Sequence, residues 1–247
     1  MNFSEVLSKV HMGGINEVCV IEKDGSIAIA DETNAVFTYV KPGPRVISAF
    51  TKLKTRPYVE HPLGIRDLGQ FMKYLAFGTA EITKDAIRFK SKVGKAVFKL
   101  ADVESIPRVE GPEAIVKGLA KSLSLKANVT RAALDNFKAV FDLVRPEVIT
   151  LSLVSLKGSG RALKCSLGEE ISNTGSVLLS RDVSGKLKSC KVDFRASFFN
   201  SILAATADTD LVFRVGEGAE DLPLMIEEKL TGCETTWFLE PYEYATS

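Results

Sequence analysis

The residue types that could do covalent or metal chemistry are few and scattered in this 247-residue chain. His11 and His61 stand in no metal-binding or nucleophile arrangement, and no glycine-rich phosphate loop or G-x-S-x-G turn occurs. The cysteines lack the paired spacings of zinc sites and disulfide frameworks; they are Cys19, Cys165, Cys190 and Cys233. The sequence therefore predicts no enzyme, no metal and no cofactor, and it predicts reduced, buried cysteines.

Basic side chains recur on the polar sides of segments with helical periodicity. One segment carries Arg66 and Lys73, and a second carries Arg131 and Lys138. Spaced cations of this kind can contact nucleic-acid phosphates without reading the base sequence. An ordinary solvated helix face looks the same, so the pattern by itself leaves both interpretations open.

The elements that carry these stripes occur in two similar series. In the first half, the sequence predicts helices over 2–11 and 64–78, each followed by alternating strand patterns, with further strand up to residue 50. The second half repeats this order with a helix that begins at 129 and is stopped by Pro146, and a helix over 194–206. Corresponding helices lie about 130 residues apart, which is typical of tandem domains rather than of a solenoid. We therefore predict an α+β fold of two domains.

The domain limits follow from a segment that contains both proline and glycine between the two series. We predict a first domain over 1–108, a connector over 109–119 and a second domain over 120–247. The net charge of +1 and the 45% hydrophobic content are typical of a globular protein. The longest apolar runs are far shorter than the roughly 20 residues that a membrane-spanning helix needs. Since the first residues also lack a signal-peptide pattern, we expect no membrane association and an intracellular, non-secreted protein.

The end of the chain, CETTWFLEPYEYATS, is unusually aromatic for a terminus. Ordering a tail costs about 1–2 kcal/mol per residue in backbone entropy, so this tail is either fastened to the fold or used for binding. Adjacent residues of a strand face opposite sides, which predicts that one of Trp237 and Phe238 is buried and the other is exposed.

The closing stretch DLPLMIEEKLTGCETTWFLEPYE resembles the last hairpin of the two-domain DNA polymerase sliding clamps. That family includes the eukaryotic proliferating cell nuclear antigen and the clamps of tailed phages. The similar positions are Pro223, Leu224, Trp237, Phe238, Leu239 and Pro241. SFFNSILAAT and GIRDLGQFMKYL resemble two helices of the family, and SVLLSRDVSG resembles an edge strand. The order of elements matches over nearly the whole chain, although few residues are identical.

The resemblance implies that each domain packs two helices on antiparallel sheets. Three chains would close head to tail into a ring that encircles double-stranded DNA and tethers the replicative DNA polymerase as a processivity factor. An ATP-dependent clamp loader would open the ring. The host compartment would be the cytoplasm of a bacterial or phage-infected cell, or a eukaryotic nucleus. The residues implied to face DNA are Lys9, Arg66, Lys73, Arg131, Lys138 and Arg195.

The family also implies two protein-binding surfaces. Subunits would pair through edge strands that contain Lys95, Val97, Lys99, Val177, Leu178, Leu179 and Ser180. A pocket for partner peptides would be formed by Ala35, Val36, Phe37, Ile115, Val116, Leu119, Pro223, Phe238, Leu239 and Pro241. By its position in this pocket, Phe238 is predicted to be the exposed aromatic.

Two alternatives remain at this stage. The chain could be a clamp-fold DNA-binding accessory protein that works as an open monomer or dimer, which would need stronger basic patches to stay on DNA. It could also be a structural or interaction protein of duplicated α+β domains that binds no DNA. The mass in solution and the retention on circular against linear DNA separate the three hypotheses.

Overall fold

A computed structural model of the chain describes residues 1–51, 60–158, 160–168, 173–216 and 222–242, with backbone alone at 49–51. These residues form an α+β fold that separates into two compact units. Unit 1 comprises Met1–Glu32, Phe37–Pro112 and Lys229–Thr235, and unit 2 comprises Thr33–Val36, Glu113–Glu228 and Thr236–Ser247. The main division falls inside the predicted connector. The short segment Thr33–Val36 is assigned to unit 2, and Lys229–Thr235 is assigned to unit 1. The sequence prediction gave each domain one continuous range and did not include these two assignments.

Unit 1 combines helices with two antiparallel sheets. The helices are α1 (Phe3–His11), α2 (Pro44–Thr51) and α3 (Leu68–Phe77). The strands are β1 (Cys19–Ile21), β2 (Ile27–Ala30), β3 (Val36–Pro42), β4 (Leu63–Ile65), β5 (Thr79–Ile82), β6 (Ala86–Lys90) and β7 (Lys95–Lys99). Their orders are β3-β2-β1-β4 and β5-β6-β7.

The core of unit 1 lies between its helices and sheets. Helix α1 begins with a capping box in which Asn2 and Glu5 satisfy each other's backbone N–H groups, and it packs against α3. From α3, the Phe71 ring lies 4.9 Å from the Phe98 ring and 6.3 Å from the Phe89 ring, measured between centroids. The β5-β6-β7 sheet is therefore apolar on the side that carries α3.

Unit 2 repeats this plan. Its helices are α4 (Pro112–Ser122, whose first residue is counted with unit 1), α5 (Arg131–Val144) and α6 (Ala196–Ala205). Its strands are β8 (Leu125–Val129), β9 (Val148–Ser155), β10 (Arg161–Leu167), β11 (Gly175–Ser180), β12 (Asp182–Gly185), β13 (Lys191–Arg195), β14 (Leu211–Val215), β15 (Leu224–Leu230) and β16 (Cys233–Leu239). The sheet orders are β12-β8-β14-β15-β16 and β11-β10-β9-β13, and the turn of the last hairpin is counted with unit 1.

Aromatic side chains join helices α5 and α6 of unit 2. The Phe137 ring of α5 lies 5.1 Å from the Phe199 ring of α6, which lies 5.9 Å from the Phe213 ring of β14. Helix α5 also packs closely on strand β11. A Cβ at Gly175 would come within 2.5 Å of Val140 Cγ1, so glycine is what permits this approach.

Two helices occupy segments that were predicted from the sequence to be strand or connector. Helix α2 occupies the end of a region predicted as strand, and α4 lies in the predicted connector. Both begin at a proline, and proline favours the first helical position because its fixed φ suits a helix and its missing N–H needs no partner there. In the sequence, Pro112 was counted only as one of the connector's prolines, whereas it is the first residue of α4. None of the helices in the described ranges is long and apolar enough to span a membrane.

Candidate functional site

The polar side of α3 retains one of its two predicted cations. Asp67 caps the helix by accepting a 2.6 Å hydrogen bond from the Gln70 backbone N–H, so α3 begins at Leu68. Lys73 lies on the helix and is exposed. Arg66 precedes the cap, and its Nη2 donates a 2.9 Å hydrogen bond to Ser105 Oγ. Its predicted place in the helical stripe was therefore wrong, although its side chain is also exposed.

Lys9 on α1 does not present a cation to solvent. The residue is only 2% exposed, beside the buried Val6, Leu7 and Val10. A phosphate cannot reach its ammonium group in this conformation, so its predicted contact with DNA is contradicted. Lys9 was included only because the family resemblance implied it, and the resemblance could not show that this residue is buried here.

Arg131 on α5 is largely neutralised by acidic neighbours. Its Nε lies 3.0 Å from Asp135 Oδ1 and 3.1 Å from Asp208 Oδ1, and its Nη1 donates a 3.2 Å hydrogen bond to the Ala207 carbonyl. The Arg131 backbone N–H also donates to Asp210 Oδ1. The guanidinium therefore fastens the start of α5 to the segment before β14, and less of its charge is available to a phosphate.

The remaining two cations of unit 2 are exposed. Lys138 lies on α5. Arg195 occupies the position before α6 without a side-chain capping hydrogen bond, and its guanidinium carbon lies 5.4 Å from the centroid of the Phe198 ring and 5.6 Å from that of Tyr242. The exposed cations of the predicted DNA face are thus Arg66, Lys73, Lys138 and Arg195.

The two predicted interface strands both lie at sheet edges among the described residues. β7 is bonded to β6 on one side, and β11 is bonded to β10 on one side. Val97 is 49% exposed, between the exposed Lys95 and Lys99. On β11, Leu178 is half-buried, and the buried side chains are Val177, Leu179 and Ser180.

The aromatic tail is fastened to the fold. Trp237 is fully buried and Phe238 is 2% exposed, so the prediction that Phe238 faces solvent was wrong. The five residues 235–239 are all buried, which means that both faces of β16 are covered and that alternation no longer separates inside from outside. The Glu240 N–H donates a 2.9 Å hydrogen bond to the Ala35 carbonyl, and the Tyr242 N–H donates a 2.7 Å hydrogen bond to the Asp193 carbonyl.

The other residues of the predicted peptide pocket differ in exposure. The buried residues are Val36, Pro223 and Leu239. The half-buried residues are Ala35, Phe37, Val116, Leu119 and Pro241. Ile115 on α4 is 38% exposed. Partial burial also raises the pKa of the Glu240 carboxyl above its ordinary value. Sequence reasoning missed Glu240 and Asp193 as tail anchors, since they act through backbone atoms that give no sequence signal.

The chemistry-bearing residues show no reactive arrangement in the described part of the chain. There, no group of three or more His, Cys, Asp or Glu residues is close enough to hold a metal ion. All four cysteines are buried, and burial raises the pKa of the Cys19 and Cys165 thiols to about 12 and that of Cys190 to about 11.

Solved structures decide which fold this is. The chain is similar to proliferating cell nuclear antigen (PCNA) from Thermococcus kodakaraensis, at 17% identity over 97% of this chain and 96% of that one, with a TM-score of 0.68. It is also similar to A. fulgidus PCNA bound to the C-terminal region of FEN-1, at 12% identity over 98% and 97% of the chains, with a TM-score of 0.69. The chain has the sliding-clamp fold. A PCNA2–PCNA3 complex from Sulfolobus tokodaii is a further similar structure, at 16% identity over 97% and 95% of the chains, with a TM-score of 0.65.

Neither the family models nor the curated proteins include a match to the sequence. The clamp fold confirms the α+β prediction and the two-domain plan, with α1 and α3 packed on the sheets of unit 1 and α5 and α6 on those of unit 2. Helices α2 and α4 were not predicted from the sequence.

Proposed function

We propose that this chain is a DNA polymerase processivity factor, a ring-shaped sliding clamp that encircles double-stranded DNA. The observation that carries the proposal is the clamp fold, matched over 95% or more of both chains in the comparisons. Such a protein works inside the cell that holds the replicating DNA. It needs no catalytic group of its own, because its effect on synthesis comes from its topology.

Assembly would occur through the two edge strands. We propose that β7 of one copy pairs antiparallel with β11 of the next, which is a heterologous contact and generates a ring if the rotation closes. Exposed edges of five or six residues are sites of unwanted association unless another chain covers them. The PCNA2–PCNA3 complex is an association between chains of this fold, which supports pairing here. A closed homotrimer is the assembly we propose.

Contact with DNA would be weak and independent of base sequence. Lys73 on α3 and Lys138 on α5 are exposed, and the burial of Lys9 and the neutralisation of Arg131 reduce the positive charge of the predicted DNA face. Few phosphate contacts leave a ring free to slide. The topological link, rather than affinity, would then keep the clamp on the duplex.

Tethering explains how such a ring would aid synthesis. A polymerase bound to a clamp that cannot leave the DNA rebinds the primer end at high effective concentration, so the length copied per binding event increases. A closed ring cannot thread onto a circular template by itself. An ATP-dependent clamp loader is therefore a further proposed partner.

Partner peptides would bind on unit 2. We propose that Ile115, Val116 and Leu119 of α4 supply the accessible apolar contacts, with Pro241 beside them in the proposed pocket. Phe238 and Leu239 are buried, so they would not be among the accessible contacts. The similar A. fulgidus clamp was solved with the C-terminal region of FEN-1, which supports a peptide mode of recognition.

Charge reversal of Lys73 and Lys138 tests the DNA face. The double variant Lys73→Glu/Lys138→Glu is expected to form a normal trimer and to support less processive primer extension, because two phosphate contacts become repulsive. The log–log salt dependence of DNA binding should flatten by about 0.9 per lost contact. The control is Lys186→Glu/Lys188→Glu, which reverses two exposed lysines outside these helices. Equal losses in both variants would remove Lys73 and Lys138 from the DNA face.

Light scattering tests the assembly on which the function depends. The proposed ring has a mass of three times 26.9 kDa at micromolar concentration. A single mass of 26.9 kDa that still binds DNA would favour the open accessory protein. A chain with no affinity for DNA in any assembly would favour the interaction protein.

A further inference from the structure

The β5-β6-β7 sheet of unit 1 has two faces of opposite character. Ile87, Phe89 and Phe98 are buried on one face, where Phe71 and Tyr74 of α3 pack against the phenylalanine rings. Side chains alternate along a strand, so the residues between these point to the other side of the sheet. That other side faces away from α3.

The face away from α3 is exposed and strongly basic. Strand register places Lys90 between Thr79 and Lys95, and Arg88 between Glu81 and Val97. This basic sheet face consists of the exposed residues Thr79, Glu81, Arg88, Lys90, Lys95, Val97 and Lys99. It contains four cations and one carboxylate, and within the ranges that the structure describes none of these charged groups forms an ion pair.

The arrangement of the cations is unfavourable in the isolated chain. Lys90 and Lys95 are direct cross-strand partners, and like charges in that position destabilise a sheet. Lys95 and Lys99 are four residues apart on β7, a separation of about 13 Å. Duplex DNA carries about one charge per 1.7 Å of its axis, so a surface of this length faces several phosphates. A bound polyanion would offset the repulsion between the cations.

The corresponding sheet of unit 2 lacks this concentration of charge. There, Lys164 of β10 and Lys191 of β13 are both paired with Ser152 of β9, which lies between them. The next set of paired residues includes Asp193, whose carboxylate accepts a 2.6 Å hydrogen bond from the Thr150 hydroxyl. The two sheets have related places in a repeated fold, so the fold itself does not require the charge in unit 1.

We propose that the basic sheet face of unit 1 is a second binding site for double-stranded DNA. It would hold the sugar-phosphate backbone from the side opposite α3, separately from the contact proposed for Lys73. The partner is duplex rather than single-stranded DNA because none of the seven residues of the face is aromatic, and stacking on aromatic side chains is what holds single strands. Its one large apolar residue is Val97, so the face offers little apolar surface to a peptide.

This site does not depend on ring closure, so it can be measured without a loader. The probe is a covalently closed double-stranded DNA minicircle, which cannot thread through a closed ring, and binding is followed by fluorescence anisotropy. The test variant is Arg88→Ala/Lys90→Ala, which removes two cations from the central strand β6 and leaves the proposed interface strand β7 intact. The control Lys164→Ala/Lys191→Ala removes two lysines from the corresponding sheet of unit 2. We expect the test variant to bind at least about tenfold more weakly in 0.1 M salt, with a salt slope lower by about 1.8.

The control variant should bind the minicircle like the parent chain. Circular dichroism checks that each variant keeps its fold. Minicircle affinity unchanged by Arg88→Ala/Lys90→Ala overturns the proposal, and so does a preference of the parent chain for poly-glutamate or for single-stranded DNA over the duplex. If the basic sheet face does not bind DNA, the proposed ring is not contradicted. If the ring does not form, the effect of the test variant on minicircle binding still tests the basic sheet face.

Discussion

Replacing Val97 or Leu178 by proline is expected to convert the trimer into monomers. Proline has no N–H to donate and is tolerated only at the edges or bulges of a sheet. Pairing between subunits would turn β7 and β11 from edge strands into interior strands, where proline does not fit. Each substitution damages one of the two strands that we propose to meet between subunits. The measurement is light scattering at micromolar concentration, where the mass should fall from three times 26.9 kDa to 26.9 kDa.

A mixture of the two proline variants gives a sharper result. The Leu178→Pro chain keeps an intact β7, and the Val97→Pro chain keeps an intact β11, so the pair can make one contact and no more. We expect a heterodimer of twice 26.9 kDa, with no trimer. Circular dichroism and thermal melting of each monomer check that the fold survives. Homodimers of either single variant would contradict head-to-tail pairing.

Replacing Phe238 by alanine is expected to destabilise unit 2 by about 3–5 kcal/mol, the usual cost of removing a buried phenylalanine. Phe238 is 2% exposed and belongs to the run of buried residues at the end of β16. Urea denaturation followed by circular dichroism measures the change in the free energy of unfolding.

Ile115→Ala is the matched control because Ile115 is 38% exposed on α4. It should change the free energy of unfolding by less than about 1 kcal/mol while weakening the binding of a polymerase-derived peptide. If Phe238→Ala kept the parent stability and lost the peptide instead, Phe238 would be the accessible anchor that its sequence position suggested.

Long periodic segments allowed most of the clamp fold to be predicted from sequence. Helix α5 has four apolar residues at helical spacing, a threonine cap and a stop before Pro146, and it was located within about two residues. Helices α2 and α4 have eight and eleven residues, and α2 in particular is too short for periodicity to separate helix from strand. Their starting prolines were the available signal.

The site was less predictable because its chemistry depends on distant neighbours. Arg131 forms an ion pair with Asp208, which is far away in the sequence. Lys9 is buried, and the sequence of its own helix does not show this. The prediction that Phe238 is exposed was wrong because the alternation rule assumes that one face of the strand is solvent-exposed. Both faces of β16 are buried over residues 235–239. The basic sheet face, in contrast, follows from strand register, and register became known only with the structure.

Closure around DNA is tested most directly by a topological link. Cysteines introduced at Val97 and Leu178 would join neighbouring subunits through a flexible bismaleimide, and the native cysteines interfere little because all four are buried. Subunits separated by dilution are reassembled with a circular plasmid, cross-linked and treated with SDS. We predict that the protein stays on the intact circle and is released by a single restriction cut. Release by SDS before the cut, or equal retention on linear DNA, would contradict a ring that encircles the duplex.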